Sequence, residues 1–319
     1  MDLPGSVPLP ADRPVPPGGR SAAGPPVVPA ADRLSINQQT VRQWSLPHLV
    51  AGCRAAGVTG VGLWREPVRE YGVAAAARLV REAGLTVTSL CRGGFFTATD
   101  PAERRAALAD NRAAVDEAAT LGTGTLALVS GGLPAGSRDL AGARQRVADA
   151  LAELAPYAAE RGVRLAIEPL HPMYAADRCV VSTLAQALDL AEGFPVERVG
   201  VVVDSYHLWW DDTLPEQLAR AGRAGRIAAC QLADWVTPLP EGVLLGRGQL
   251  GDGSIDLRRF REQVTAAGYH GPLEVEIFNP ALWARDGAEV LAEVIERYRA
   301  HVLAPGPALP RVLPDGAQM

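Results

Sequence analysis

Eight short apolar runs, each followed by an alanine-rich amphipathic stretch, constrain this chain more than any other feature. The runs are RLSIN (33–37), VTGVGLW (58–64), LTVTSL (85–90), TLALVS (125–130), VRLAIE (163–168), VGVVVD (199–204), RIAACQL (226–232) and PLEVEIF (272–278). Runs such as VGVVV are apolar on successive residues, as a parallel strand covered on both faces requires. The stretches between them carry helical spacing; in 144–160, Val147, Leu151, Leu154 and Ala158 recur on one face. Gly57, Gly84, Gly122, Gly162 and Gly268 stand before the next run, where a helix ends in a left-handed residue that glycine adopts cheaply. Eight strand–helix units in a chain of 319 residues predict an α/β fold, a (β/α)8 TIM barrel over 33–303. No GxGxxG turn follows the first run, which weighs against a dinucleotide-binding sheet.

The flanks read differently. Residues 1–32 are rich in proline and glycine and lack a continuous apolar run, so a disordered arm is expected rather than a signal peptide. Residues 304–319 (APGPALPRVLPDGAQM) read as a flexible tail. No apolar run is long enough to span a bilayer. The net charge of −5 and pI near 5.6 argue against nucleic-acid and membrane partners. All 31 residues counted as Lys+Arg are arginine. Without lysine there is no Schiff-base chemistry, no PLP attachment and no Walker-type phosphate loop, so no nucleotide cofactor is expected. The four cysteines are far apart and form no CxxC pair, which leaves reduced thiols in a cytoplasmic protein as the expectation.

In such a barrel the chemistry sits at the C-terminal ends of the strands. Glu168 ends the fifth run, Asp204 the sixth, and Gln231 and Glu276 lie near the ends of the seventh and eighth. Neighbouring strands are about 4.8 Å apart, so four successive strand ends converge on one point. Three acids brought together raise one another's pKa unless a cation neutralises them. Oxygen ligands suit a hard divalent ion: Mn²⁺ first, with Mg²⁺ or Co²⁺ as substitutes. A single acid at a strand end is as often a loop-edge residue; three acids and an amide in register point to a metal. Glu274 is the register alternative to Glu276, or pairs deeper in the barrel.

Other residues have two readings each. His207, three residues after Asp204, is a substrate hydrogen-bonding group or a satisfied loop histidine. Trp209 and Trp210 wall a sugar site or pack beneath a loop. His171 is a general base near neutral pH or a loop histidine braced by Pro172. Arg247, in LLGRGQLGDGSID, reaches a substrate oxygen, or the glycines only turn while Ser254 or Asp256 caps the next helix. CRGGFF (91–96) and SGG (130–132) are tight loops that admit a ligand to the backbone or merely turn.

Over 33–298 the chain resembles the sugar isomerase/epimerase superfamily of xylose isomerase-like barrels, most specifically in IEPL, DSYH, GDGSID and GYHGPLEVEIF. The resemblance implies one divalent metal on Glu168, Asp204, Gln231 and Glu276, with His207 and Arg247 contacting a sugar. It also implies that Glu168 and Glu276 move the proton next to a carbonyl through an enediolate. Gln231 departs from the histidine common at its position, which favours Mn²⁺ or Mg²⁺ over Zn²⁺. EPLHP is also similar to the large subunit of bacterial C-glycoside deglycosidases. That likeness implies carbon–carbon cleavage of a 3-keto-glycoside, His171 as base, and a small β-rich partner subunit. A homo-oligomer is the other assembly left open. A non-catalytic sugar-binding barrel is a further alternative if Gln231 marks a lost site. The apurinic-site endonuclease branch needs many histidines for zinc, and this chain has five.

Overall fold

The computed structural model describes residues 33–240 and 243–304; the proline-rich arm and residues 305–319 lie outside the described residues. Eight parallel strands close into a barrel: β1 (Leu34–Asn37), β2 (Gly60–Trp64), β3 (Thr86–Gly94), β4 (Thr125–Val129), β5 (Arg164–Glu168), β6 (Val199–Asp204), β7 (Ile227–Leu232) and β8 (Leu273–Val275). They pair in chain order and β8 returns to β1. The (β/α)8 expectation is met, and each strand begins within its predicted run.

Helices cover the outside. Leu140–Glu160 turns Val147, Leu151, Leu154 and Ala158 inward, as its spacing predicts. The five glycines that close helices all have φ between 69° and 88°. Among the described residues no helix is long and apolar enough to cross a membrane.

Two strand ends differ from expectation. β3 continues to Gly94, because Gly93 and Gly94 pair with Leu128 and Val129 after a register shift. β8 stops at Val275 since the next residues leave the ladder: Ile277 N donates to Thr40 Oγ1 at 3.1 Å, and Phe278 O accepts from Arg247 N at 3.3 Å. Glu276 N still donates to Leu232 O at 3.0 Å. That bond holds Glu276 at the mouth.

Inside the barrel, small residues leave room for polar ones. Cys91, Ala127, Ala166, Val202 and Ala229 form their own apolar cluster. The β8–β1–β2–β3 side is polar, and it is open because Gly62 has no side chain: a Cβ there would overlap the Glu274 carboxylate.

Candidate active site

Glu274 forms the floor. It accepts hydrogen bonds from Asn37 Nδ2 (2.7 Å), Thr88 Oγ1 (2.7 Å), Ser89 Oγ (2.8 and 3.1 Å) and Gln231 Nε2 (3.1 Å). Strand register puts it directly beside Ser35 and Gln231. So Glu274 pairs deeper in the barrel, and Glu276 is the acid left for the mouth. The floor also orients Gln231. An acceptor faces the amide, so Nε2 must point down, and Oε1 is left buried with no hydrogen-bond partner.

Above the floor, Glu168, Asp204, Gln231, Glu276 and His207 come together, none more than 6 % exposed. Asp204 Oδ1 accepts from Tyr206 N at 2.8 Å, which caps the short helix Ser205–Leu208 and turns His207 back over the strand ends. His207 Nε2 lies 3.7 Å from Asp204 Oδ2 and 3.8 Å from Glu168 Oε1. Two groups of donor atoms are close enough to share an ion: Glu168, Asp204 and His207, and separately Cys91, Glu274 and Glu276, each within 4.8 Å.

Arg247 joins the two groups. Its Nη1 donates to Asp204 Oδ2 (3.2 Å), Glu276 Oε2 (3.0 Å) and Glu276 O (3.1 Å), and Nη2 lies 3.1 Å from His207 Nε2. It reaches this depth through a two-residue antiparallel ribbon, Asp234–Trp235 against Arg247–Gly248. Asp234 fixes the glycine-rich loop beyond by accepting from Gly251, Gly253 and Ile255 N, each at 3.0 Å. Asp256 caps the following helix through Arg259 N, as one of the two sequence readings has it. The loop therefore both turns and delivers an arginine.

The mouth is aromatic on one side. His171 packs on Trp235 (4.9 Å between centroids) and Trp210 (5.3 Å), Trp209 lies 5.6 Å from Trp235, and Trp235 is 5.0 Å from Tyr206. Trp210 Nε1 donates to His207 O at 2.7 Å. Trp235 escapes a reading of the motifs alone, because it lies beyond the end of β7 in the ribbon that pairs with Arg247–Gly248.

Burial sets the protonation. Desolvation, then Glu276 and Asp204, push Glu168 well above the usual carboxylate range. Burial pushes Glu276 up to about 8 and raises Asp204, while Arg247 pulls both back. Burial works against the charge of Arg247, but Asp204, Glu276 and Glu168 outweigh it and keep the guanidinium protonated. Burial, then Arg247, hold His207 far below its ordinary value, so the ring is neutral. One guanidinium does not balance this many acids, so they keep protons instead.

A pH dependence follows for metal-stripped protein. The folded state holds protons that the unfolded chain has already released, so stability present below about pH 4.5 is lost as pH rises toward about 8. Differential scanning calorimetry should show the melting temperature falling by about 5 °C or more between pH 5 and 8. Saturating Mn²⁺ should remove the fall, because the ion takes the place of the protons. A flat profile in stripped protein would contradict the assignment.

The donor set fits a hard divalent ion: three acids in want of countercharge and an amide oxygen with no other partner. The chain matches the xylose isomerase-like TIM barrel family over residues 50–294. It belongs to that family. Among the family member's solved relatives, protein SMc04130 from Sinorhizobium meliloti 1021 is 49% identical, with a TM-score of 0.82 over 85% of this chain and 98% of that one. A 3-dehydroshikimate dehydratase from Pseudomonas aeruginosa is 33% identical over 176 residues, 51% of this chain and 26% of that protein. An inosose isomerase from Bacillus licheniformis is 28% identical over 160 residues, 47% of this chain and 55% of that protein. The chain thus spans about a quarter to about half the length of these curated relatives. The IOLI protein, solved with a bound zinc atom, shares the fold at 21% identity and a TM-score of 0.73, over 85% of this chain and 98% of that one.

Proposed function

We propose that this xylose isomerase-like barrel is a divalent-metal-dependent sugar isomerase or epimerase that moves a proton on the carbon next to a carbonyl. The observation that carries this reading is the set of three buried acids and one unpartnered amide oxygen at four successive strand ends. Glu168, Asp204, Gln231 and Glu276 would hold the ion, Mn²⁺ ahead of Mg²⁺ or Co²⁺ because every donor is an oxygen. When bound, the ion supplies a Lewis acid for the substrate carbonyl and its neighbouring hydroxyl.

Glu168 and Glu276 are the proton carriers. They stand three strands apart round the barrel, and both have affinities for a proton shifted toward neutral pH, where general acid–base exchange is most effective. One takes the proton from the substrate and the other returns it. Arg247, tied to Glu276 and Asp204, steadies the negative charge that develops on substrate oxygen. The aromatic side of the mouth, with Trp209, Trp210 and Trp235, covers the substrate and limits water.

A lyase acting on 3-keto-glycosides would need His171 as its base. Met173 N donates to His171 Nδ1 at 3.2 Å, so the neutral ring carries its proton on Nε2 and serves as a donor to substrate. Incubation of Mn²⁺-loaded protein with ketoses in D₂O, followed by NMR, tests the proposal. Deuterium should enter next to the carbonyl, and His171→Ala should keep exchange within about tenfold of the native rate, as loss of one substrate hydrogen bond implies. Abolished exchange in His171→Ala with Mn²⁺ still bound would shift the reading to the lyase.

A further inference from the structure

Two arginines at the mouth, Arg92 and Arg178, form no ion pair with an acid among the described residues. Arg92, near the end of β3, is half-buried, with its guanidinium 4.4 Å from the Phe95 ring and 6.0 Å from the Trp64 ring. Arg178, in the loop after β5, is half-buried with Nε shielded from solvent and bonded to nothing.

The loops that carry them are joined edge to edge. Phe95 N donates to Val129 O at 2.8 Å, Phe96 N to Ser130 O at 2.9 Å, and Val180 N to Gly131 O at 2.9 Å. A Cβ on Gly132 would overlap the backbone of Asp177 and Arg178. The ends of β3, β4 and β5 therefore carry both arginines on one side of the mouth. Burial holds Arg92 below its ordinary range, and the nearby charge of Arg178 adds to this against Glu66.

Phe95 supports the same reading. Its φ of 61° is a left-handed backbone that residues with a side chain seldom adopt, yet the ring stays 37% exposed beneath Arg92. Such conformations persist where a ligand clamp needs them. Two partly desolvated cations on a rigid platform are unfavourable without an anion between them, and a guanidinium fork matches carboxylate and phosphate oxygens.

We propose that Arg92 and Arg178 form an anion subsite on the β3–β5 side of the mouth, which takes a carboxylate or phosphate group carried by the substrate. The proposal rests on the reading of the mouth as the active site and narrows the substrate from a neutral sugar to a sugar acid or sugar phosphate.

Isothermal titration of the metal-stripped full chain at low salt, with inorganic phosphate and with malonate as probes, tests it. At least one probe should bind at one per chain in the millimolar range or tighter. Arg92→Gln and Arg178→Gln should each weaken binding about tenfold or more, the effect of one charged hydrogen bond. Arg81→Gln, at the far end of helix Val73–Glu82, should change nothing. Tighter phosphate binding assigns a sugar phosphate, and tighter malonate binding a sugar acid. Binding of neither probe, or binding undiminished in either mouth variant, overturns the subsite. Both mouth variants should melt within about 3 °C of native protein, a shift typical of surface substitutions. A Mn²⁺ titration of the same preparations separates the two readings, since failure of the metal site leaves the anion result standing.

Discussion

Glu168→Gln and Glu276→Gln should each reduce metal-dependent proton exchange by about 10³-fold or more, the scale of losing a positioned acid–base group together with a metal ligand. Both should also weaken Mn²⁺ binding in a calorimetric titration. Their effect on stability should run the other way. Each acid is buried among like charges and is held protonated only at the expense of folding as pH rises. A neutral amide of the same shape removes that cost, so the stripped variants should melt no lower than native protein at pH 8, and higher if repulsion dominates. A structural role for these acids gives the opposite pattern, with lost stability and retained exchange. That pattern would refute the assignment.

Glu274→Leu should lower the free energy of unfolding by about 3–5 kcal/mol, the usual result of removing one partner from a buried charged network. Asn37, Thr88, Ser89 and Gln231 all donate to this carboxylate, and leucine takes the acceptor away from four donors on three strands inside the barrel. Chemical denaturation at equilibrium measures the loss. A change below about 1 kcal/mol would mean that water or rearranged side chains satisfy those donors. The same substitution frees the Gln231 amide to rotate, so Mn²⁺ affinity should fall in the variant that remains folded. Glu274 and Glu276 are two residues apart with the same chemistry, and they should behave in opposite ways.

Local pattern made the barrel legible. Parallel strands covered on both faces give unbroken apolar runs, amphipathic helices give a period near four, and glycine marks the turn between them. The placement of Glu168, Asp204, Gln231 and Glu276 followed from their positions at strand ends. What stayed hidden depends on register between distant segments. Nothing near Glu274 in sequence names Asn37 or Thr88 as its partners, because closure of β1 onto β8 brings them together. The depth of Arg247 was equally hidden. It is set by the ribbon with Asp234–Trp235 and by a loop wrapped on the Asp234 carboxylate, and no local pattern announces that this arginine also bonds Asp204 and Glu276. His171 is legible as a mouth residue, while the state of its ring depends on a backbone donor two residues on.

The central claim is that the strand-end acids and the Gln231 oxygen hold one divalent ion. A calorimetric Mn²⁺ titration of chelator-stripped protein at pH 8 tests it most directly. Saturation at one ion per chain, with weaker binding in Glu168→Gln and Glu276→Gln, is the predicted result. An absence of binding, or binding unchanged in both variants, would contradict the account and leave Arg247 as the cation of this site.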